Sequence, residues 1–192
     1  VSSYNAAFCD VGHKKPSFVS ECSHKAGELF MVQAVSEEHD GKGVRFVEEI
    51  KLSSEHLVLI FNPGMIKNYP MVKISKKIRN VEKREVIKTF LLDFLKENDL
   101  KYCFIVRSCV EELTDCKCLE EEVNLLISKW LQITKKFKSE FLSCSKVGVI
   151  EEVGDVFDYV VHQTSYNKYD EIIVDSPLLT HDLSVKHPEL SE

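Results

Sequence analysis

The sequence predicts an α+β protein: a small β-barrel first, then a mixed α/β region. Three observations carry this. Up to about Leu52 the chain reads as short strands broken by turn residues. From there, apolar strands alternate with helical stripes. The composition is globular, with 44% hydrophobic and 29% charged residues among 192.

The first half reads as four strands, Tyr4–Val11, Ser17–Val19, Glu28–Val35 and Gly43–Leu52. Gly12 ends the first, and Asp40-Gly41-Lys42-Gly43 turns the chain before the last. Short antiparallel strands of this kind suit a small barrel. In the second half His56–Phe61 is an apolar strand stopped by Asn62-Pro63-Gly64. Val86, Phe90, Leu91, Phe94 and Leu95 share one helical face, and Tyr102–Val106 is a second strand. Leu119, Val123, Leu126, Ile127, Trp130, Leu131, Thr134 and Phe137 form a long stripe. Val147–Ile150 reads as a strand, the Val153–Val161 region as a helix and Glu171–Val174 as a buried strand; the polar tail from Leu178 should fray.

Net charge is −6, so bulk charge does not bind nucleic acid and any such binding needs a local basic patch. No apolar run is long enough for a membrane helix. The 7 cysteines are odd in number and scattered, which points to reduced thiols in a reducing compartment, the cytoplasm or an organelle matrix. The chain opens on Val1 without a signal peptide; the expectation is a trimmed or processed chain, or a fragment.

Five groups could carry chemistry. Lys67, Lys73, Lys76, Lys77, Arg79, Lys83, Arg84 and Lys88, against Glu82 and Glu85, form a basic segment suited to phosphates or simply a solvated helix face. Arg107-Ser108 follows an apolar strand. An arginine there can grip a phosphate bidentately, or pair with Glu111 or Glu112. Phe8 and Phe18, with Lys42 in its glycine turn, could stack and hold single-stranded nucleic acid, or the two rings could be core. Cys116-x-Cys118 with Cys109 lacks a second pair at zinc spacing and reads as idle thiols. Asp170, Glu171 and Asp175 read as a solvated strand end, one strand being too little for a Mg2+ site. The seven histidines show no triad or metal spacing, and no P-loop or GxGxxG is present.

Read in order, several phrases resemble the amino-terminal part of the ribonuclease E/G family. Asn5 to Gly12 is similar to its NAAFVDYG strand. Glu28–Val35, Glu37-Glu38 and Gly41-Lys42-Gly43 resemble its "VQ…KE…KG" hairpin. Ile50–Leu59 with Ile74–Ile78 resembles "ISL…LVL…ISRRI", Ile105–Ser108 resembles "IVRT", and Asp170–Pro177 resembles "EILIDNP". Trp130 sits where the family's long helix carries Trp.

The resemblance implies an S1-like, OB-type barrel over 1–48 and a 5′-sensor domain over 49–142. It further implies a partial RNase H-like segment over 143–177 and a tail over 178–192. It implies that Phe8, Phe18 and Lys42 contact single-stranded RNA. Arg107 and Ser108 would hold the RNA's 5′-monophosphate, with Lys76 and Val58 lining that pocket. It implies RNA processing or decay, alone or within a homo-oligomer or larger assembly. Departures are Ser108 for Thr, Lys76 for Arg, Ser54 for Gly, Cys109-Val110 for Ala-Gly and a short link from Phe18 to Glu28. The family's Mg2+-holding carboxylates and zinc-binding cysteines lie in regions not matched here. The chain is thus expected to carry no catalytic residue, metal or cofactor of its own. A non-catalytic RNA-binding or assembly subunit is the alternative.

Overall fold

In the computed structural model the described residues are 6–12, 17–20, 22, 24–36, 44–62, 67–113, 115–151, 173 and 177–186. They separate into two compact units, 1–150 and 151–192. The fold is α+β, and the described strands lie in the first unit.

The first sheet holds β1 (Ala6–Cys9), β2 (Ser17–Ser20), β3 (Gln33–Ser36) and β4 (Arg45–Val47). Its order is β1-β2-β4-β3. The β1–β2 and β3–β4 pairs are antiparallel, while β2 and β4 join them in parallel. Among the described residues this sheet is open, not the closed barrel expected. Four short strands leave β1 and β3 as edges, too few to tilt round and close. After β1, the Gly12 N–H donates to Asp10 Oδ1 at 2.8 Å. Gly12 adopts φ +85° in this turn, where a side chain would be strained.

The segment expected as one strand over Gly43–Leu52 is two. It breaks at Glu48-Glu49, and β5 (Ile50–Ser53) starts a second sheet. Residues 28–32 are not strand either. The Gln33 side chain links the sheets, taking the Lys51 N–H at 2.8 Å and donating to the Lys51 carbonyl at 3.1 Å. An amide side chain offers both N–H donors and a carbonyl acceptor and so can stand in for a neighbouring strand here.

The second sheet adds β6 (Leu57–Phe61), β7 (Met71–Ile74) and β8 (Cys103–Val106), in the order β5-β6-β8-β7. The pairs are antiparallel except β7–β8, which is parallel and bridged by helix α1 (Val81–Glu97). The short β7, interrupted by Lys73, lacks a clear strand pattern in sequence.

Asn80 caps α1, its Oδ1 accepting the Lys83 N–H at 2.9 Å. The helix buries Ile87, Leu91 and Leu95. Val86, expected on that face, is 62% exposed. Helix α2 (Lys117–Lys136) buries Leu119, Val123, Leu126, Ile127, Trp130 and Ile133. Leu131, expected on the stripe, is 54% exposed, and Ile133 takes its place. Alternate residues of the second sheet (Leu52, Leu57, Leu59, Val72, Phe104, Val106) complete the core. Trp130 stacks on Phe61 with ring centroids 4.5 Å apart. A π-helical turn, Phe137–Leu142, follows α2.

Val147–Ile150 is not a strand. The expected helix near Val153–Val161 lies outside the described residues, as does the strand Glu171–Val174 apart from Ile173. In the second unit, α3 (Pro177–Lys186) is helical where a frayed tail was expected. Its opening Pro suits a first helical turn, where no N–H partner is lost. No described helix is long and apolar enough to cross a membrane.

Candidate functional site

Strand direction brings one group of residues together at one end of the second sheet. Because β7 and β8 are parallel, with Ile74 opposite Val106, their carboxyl ends lie side by side. The Ser75 N–H continues the ladder to the Val106 carbonyl at 2.9 Å. Lys76 therefore leaves β7 beside Arg107 and Ser108 leaving β8. Strand β6 runs opposite to β8, with Leu57 facing Val106, so the β5–β6 turn, Ser54–His56, closes the same end. Val58 pairs with Ile105 and Ser53. These four residues were singled out from sequence, and this sheet end collects all of them. Lys76 is exposed; Val58, Arg107 and Ser108 are half-buried. Ser108 opens a 3-10 turn over Ser108–Glu112.

Arg107 is held by backbone. Its N–H donates to the His56 carbonyl at 2.8 Å. Its Nη1 donates to the carbonyls of Ser54 at 2.8 Å and Glu55 at 3.1 Å. Both side-chain bonds leave from one nitrogen, so the Nε–Nη2 edge stays available for a bidentate acceptor such as phosphate. The alternative pairing with Glu111 or Glu112 is not formed among the described residues. Glu111 Oε1 accepts the Arg79 N–H at 2.8 Å, and the Glu111 carbonyl takes Lys83 Nζ. Lys83 also reaches the Leu113 carbonyl at 2.8 Å. Lys83 thus serves the fold, while Lys67, Lys73, Lys76, Lys77 and Arg79 stand exposed.

Behind the turn lies a cluster the sequence did not single out. Glu55, His56 and Glu122 offer three ligand-type atoms within 4.8 Å of one another. His56 is buried. Its Nδ1 lies 2.6 Å from Glu122 Oε1, and its Nε2 lies 3.3 Å from Glu55 Oε1. Glu122 Oε2 accepts the His56 N–H at 3.0 Å and the Ser54 hydroxyl. Two ligands on one tetrahedral zinc lie about 3.4 Å apart, given bonds of about 2.0–2.1 Å. The 2.6 Å contact is therefore a direct hydrogen bond. One signal was present in sequence: Glu122 falls three after Leu119 and four before Leu126, a carboxylate on an otherwise apolar stripe.

The cysteines near this end are poor nucleophiles. Cys109 donates to the Glu55 carbonyl at 3.1 Å. Burial pushes its thiol up, and the opposing pull of Arg107 is the weaker. Burial raises Cys116 and Cys118 too, which disfavours the thiolate a metal needs. The seven cysteines are free thiols.

A second group lies on the first sheet. Phe8 and Phe18 face each other across β1 and β2, edge to face, with centroids 5.8 Å apart. They are surface residues rather than core, 76% and 38% exposed. Arg45 on β4 stands opposite Phe18, so two aromatic rings and a cation form one row across the sheet. Sequence alone missed Arg45, because the β2–β4 pairing is not local. Lys42 lies outside the described residues.

The fold thus defines an α+β protein with a cationic sheet end and a separate aromatic row. The model of the Ribonuclease E/G family matches residues 52–188. That is well over half of the chain, which therefore belongs to the ribonuclease E/G family. No curated protein matches the chain closely enough to be named as a relative.

Proposed function

We propose that this chain is the RNA-binding, 5′-monophosphate-sensing part of a ribonuclease E/G-type endoribonuclease acting in RNA processing or decay. The observation that carries it is the convergence of Lys76, Arg107 and Ser108 at the carboxyl ends of β7 and β8. The half-buried Val58 lies on the neighbouring strand. The Nε–Nη2 edge of Arg107 takes two phosphate oxygens, the Ser108 hydroxyl a third, and Lys76 adds charge without a fixed geometry. Residues 1–48 serve as an S1-like RNA surface, on which bases stack against Phe8 and Phe18 beside Arg45, and the family resemblance adds Lys42 as an RNA contact. Residues 49–142 are the 5′-sensor and 143–177 part of an RNase H-like domain.

The sensor acts by positioning RNA, and chemistry takes place elsewhere. The family's hydrolysis uses Mg2+. That ion wants near-octahedral oxygen ligands and keeps several waters. The one described group with ligand-type atoms, Glu55–His56–Glu122, spends both Glu122 oxygens on hydrogen bonds within the protein. It does not fit Mg2+. A second reading, a non-catalytic RNA-binding or assembly subunit of the same family, draws on the open first sheet. The full reading frame separates the two: further sequence with two closely placed acidic strand ends restores the enzyme, and a stop codon supports the subunit.

The test is fluorescence anisotropy with one short single-stranded RNA, bearing a 5′-monophosphate or a 5′-hydroxyl, at fixed salt. The monophosphate should bind at least about tenfold tighter, since one charge-assisted pair contributes about 1.5–3 kcal/mol. Arg107→Ala should abolish that preference while largely retaining 5′-hydroxyl binding. Equal affinities in the unaltered protein refute the sensor.

A further inference from the structure

We infer that Glu122 and His56 are positioning residues for Arg107: a carboxylate–imidazole latch that fixes the turn on which the guanidinium rests. The inference rests on the 5′-phosphate reading and deepens it. Helix α2 supplies Glu122, and the β5–β6 turn supplies everything the latch holds. Glu122 Oε1 meets His56 Nδ1 at 2.6 Å, and Oε2 accepts the His56 N–H at 3.0 Å and the Ser54 hydroxyl. One side chain thus engages the turn at three points. On its other side, the turn's successive carbonyls all accept from Arg107. Ser54 and Glu55 take Nη1, and His56 takes the backbone N–H.

Every link is a short, directional contact, and the partners are held. His56 is only 6% exposed, and the side chain of Glu122 is 14% exposed. A turn of three residues has no buried apolar side chain of its own apart from what His56 provides. Apart from the latch, the turn is closed by the Ser54 N–H donating to the Leu57 carbonyl at 2.9 Å, a bond that leaves the Ser54 and Glu55 carbonyls without a fixed direction of their own. Without the latch the guanidinium keeps its charge but loses its aim, and bidentate recognition depends on aim.

Charge and position make opposite predictions at this residue. A carboxylate near a phosphate pocket repels the ligand, so removing it by charge alone strengthens phosphate binding. Removing a positioning residue weakens it. Geometry also separates Gln from Ala. A Gln at 122 accepts the His56 N–H and Ser54 hydroxyl through its oxygen, and donates its amide to Nδ1 when the imidazole carries its proton on Nε2. That imidazole N–H then points at Glu55.

The experiment measures the ratio of affinities for 5′-monophosphate and 5′-hydroxyl RNA, using the full chain and its Glu122→Ala, Glu122→Gln and Glu122→Asp variants. Circular dichroism and thermal melts confirm folding at the assay temperature. Glu122→Ala should cut the ratio at least fivefold, with 5′-hydroxyl RNA binding within twofold. Glu122→Gln should restore it to within about threefold of the original. Glu122→Asp keeps the charge and shortens the reach, so it should lower the ratio, and it carries the test if the Ala variant does not fold. In an Arg107→Ala background, Glu122→Ala should cost nothing further, because both act on one contact. An unchanged or raised ratio in Glu122→Ala overturns the latch, as does an unchanged ratio in Glu122→Asp. A ratio near one in the unaltered protein overturns the sensor reading itself. A ratio lost in Arg107→Ala but kept in the Glu122 variants overturns the latch alone.

Discussion

Leu131 and Ile133 lie two residues apart on α2, and truncating each to Ala removes the same three carbons. A 3.6-residue stripe through Trp130 assigns Leu131 to the core. The folded chain reverses this, with Leu131 54% and Ile133 8% exposed. Burying a methylene is worth about 0.8 kcal/mol, so Ile133→Ala should cost about 2.4 kcal/mol from transfer alone. The residual cavity brings this to roughly 2.5–3.5 kcal/mol. Leu131→Ala loses about half of that area and gains slightly in helix propensity, so its cost should be about 1 kcal/mol. Urea unfolding followed by the fluorescence of Trp130 measures both, since the single Trp lies in the core of the first unit. The midpoints should differ with equal slopes. Equal losses, or a larger loss for Leu131→Ala, would refute the placement of α2.

Two further predictions concern the surface. Phe8→Ala should leave stability within about 1 kcal/mol, because the ring is largely exposed and loses mainly its edge contact with Phe18; affinity for single-stranded RNA should fall at least about fivefold, measured by anisotropy. Glu49 is held below the usual carboxylate range, first by its hydrogen bond to Lys51, then by Asn62. A lowered folded pKa stabilises above the unfolded value of about 4.3 and is lost as pH falls through the folded value. Glu49→Gln should therefore lower stability slightly at neutral pH, by under about 1 kcal/mol for so exposed a pair. The difference should shrink as acid titration passes below about pH 4. A difference that grows with acid contradicts that contribution.

Much of the second sheet was legible in the sequence. Leu57–Phe61 and Cys103–Val106 are apolar runs with turn residues or charge at their ends, and buried strands require such runs. Both long helices appeared through their stripes. Errors of rotation, Val86 and Leu131, arose because periodicity locates a face only to within about one residue, while packing against Phe61 and the sheet sets the final angle. The strand β7 escaped because four residues with Lys73 in their midst carry little local signal. The first sheet was read as local hairpins, and those hairpins exist. Their parallel junction through β2 and β4 depends on residues more than twenty positions apart.

The site divides along the same line. Arg107-Ser108 stood out because a cation and a hydroxyl follow an apolar strand, a pattern contained in six consecutive residues. Lys76 stood in the basic segment, the family resemblance put it with Val58 in the same pocket, and strand direction gathers them at one sheet end. What Arg107 rests on could not be read from its neighbours in the chain. Glu111 and Glu112 are near in sequence, yet the 3-10 turn carries Glu111 to Arg79. The carbonyls of Ser54 and Glu55 arrive from more than fifty residues away, and the Glu122 that steadies them stands more than sixty residues from Ser54. Local pattern records which side chains suit water, core or phosphate, because that preference is a property of each residue in its immediate stretch. Which groups meet is settled by packing, because a hydrogen bond acts over about 3 Å and only the folded sheet and helix bring such distant residues that close.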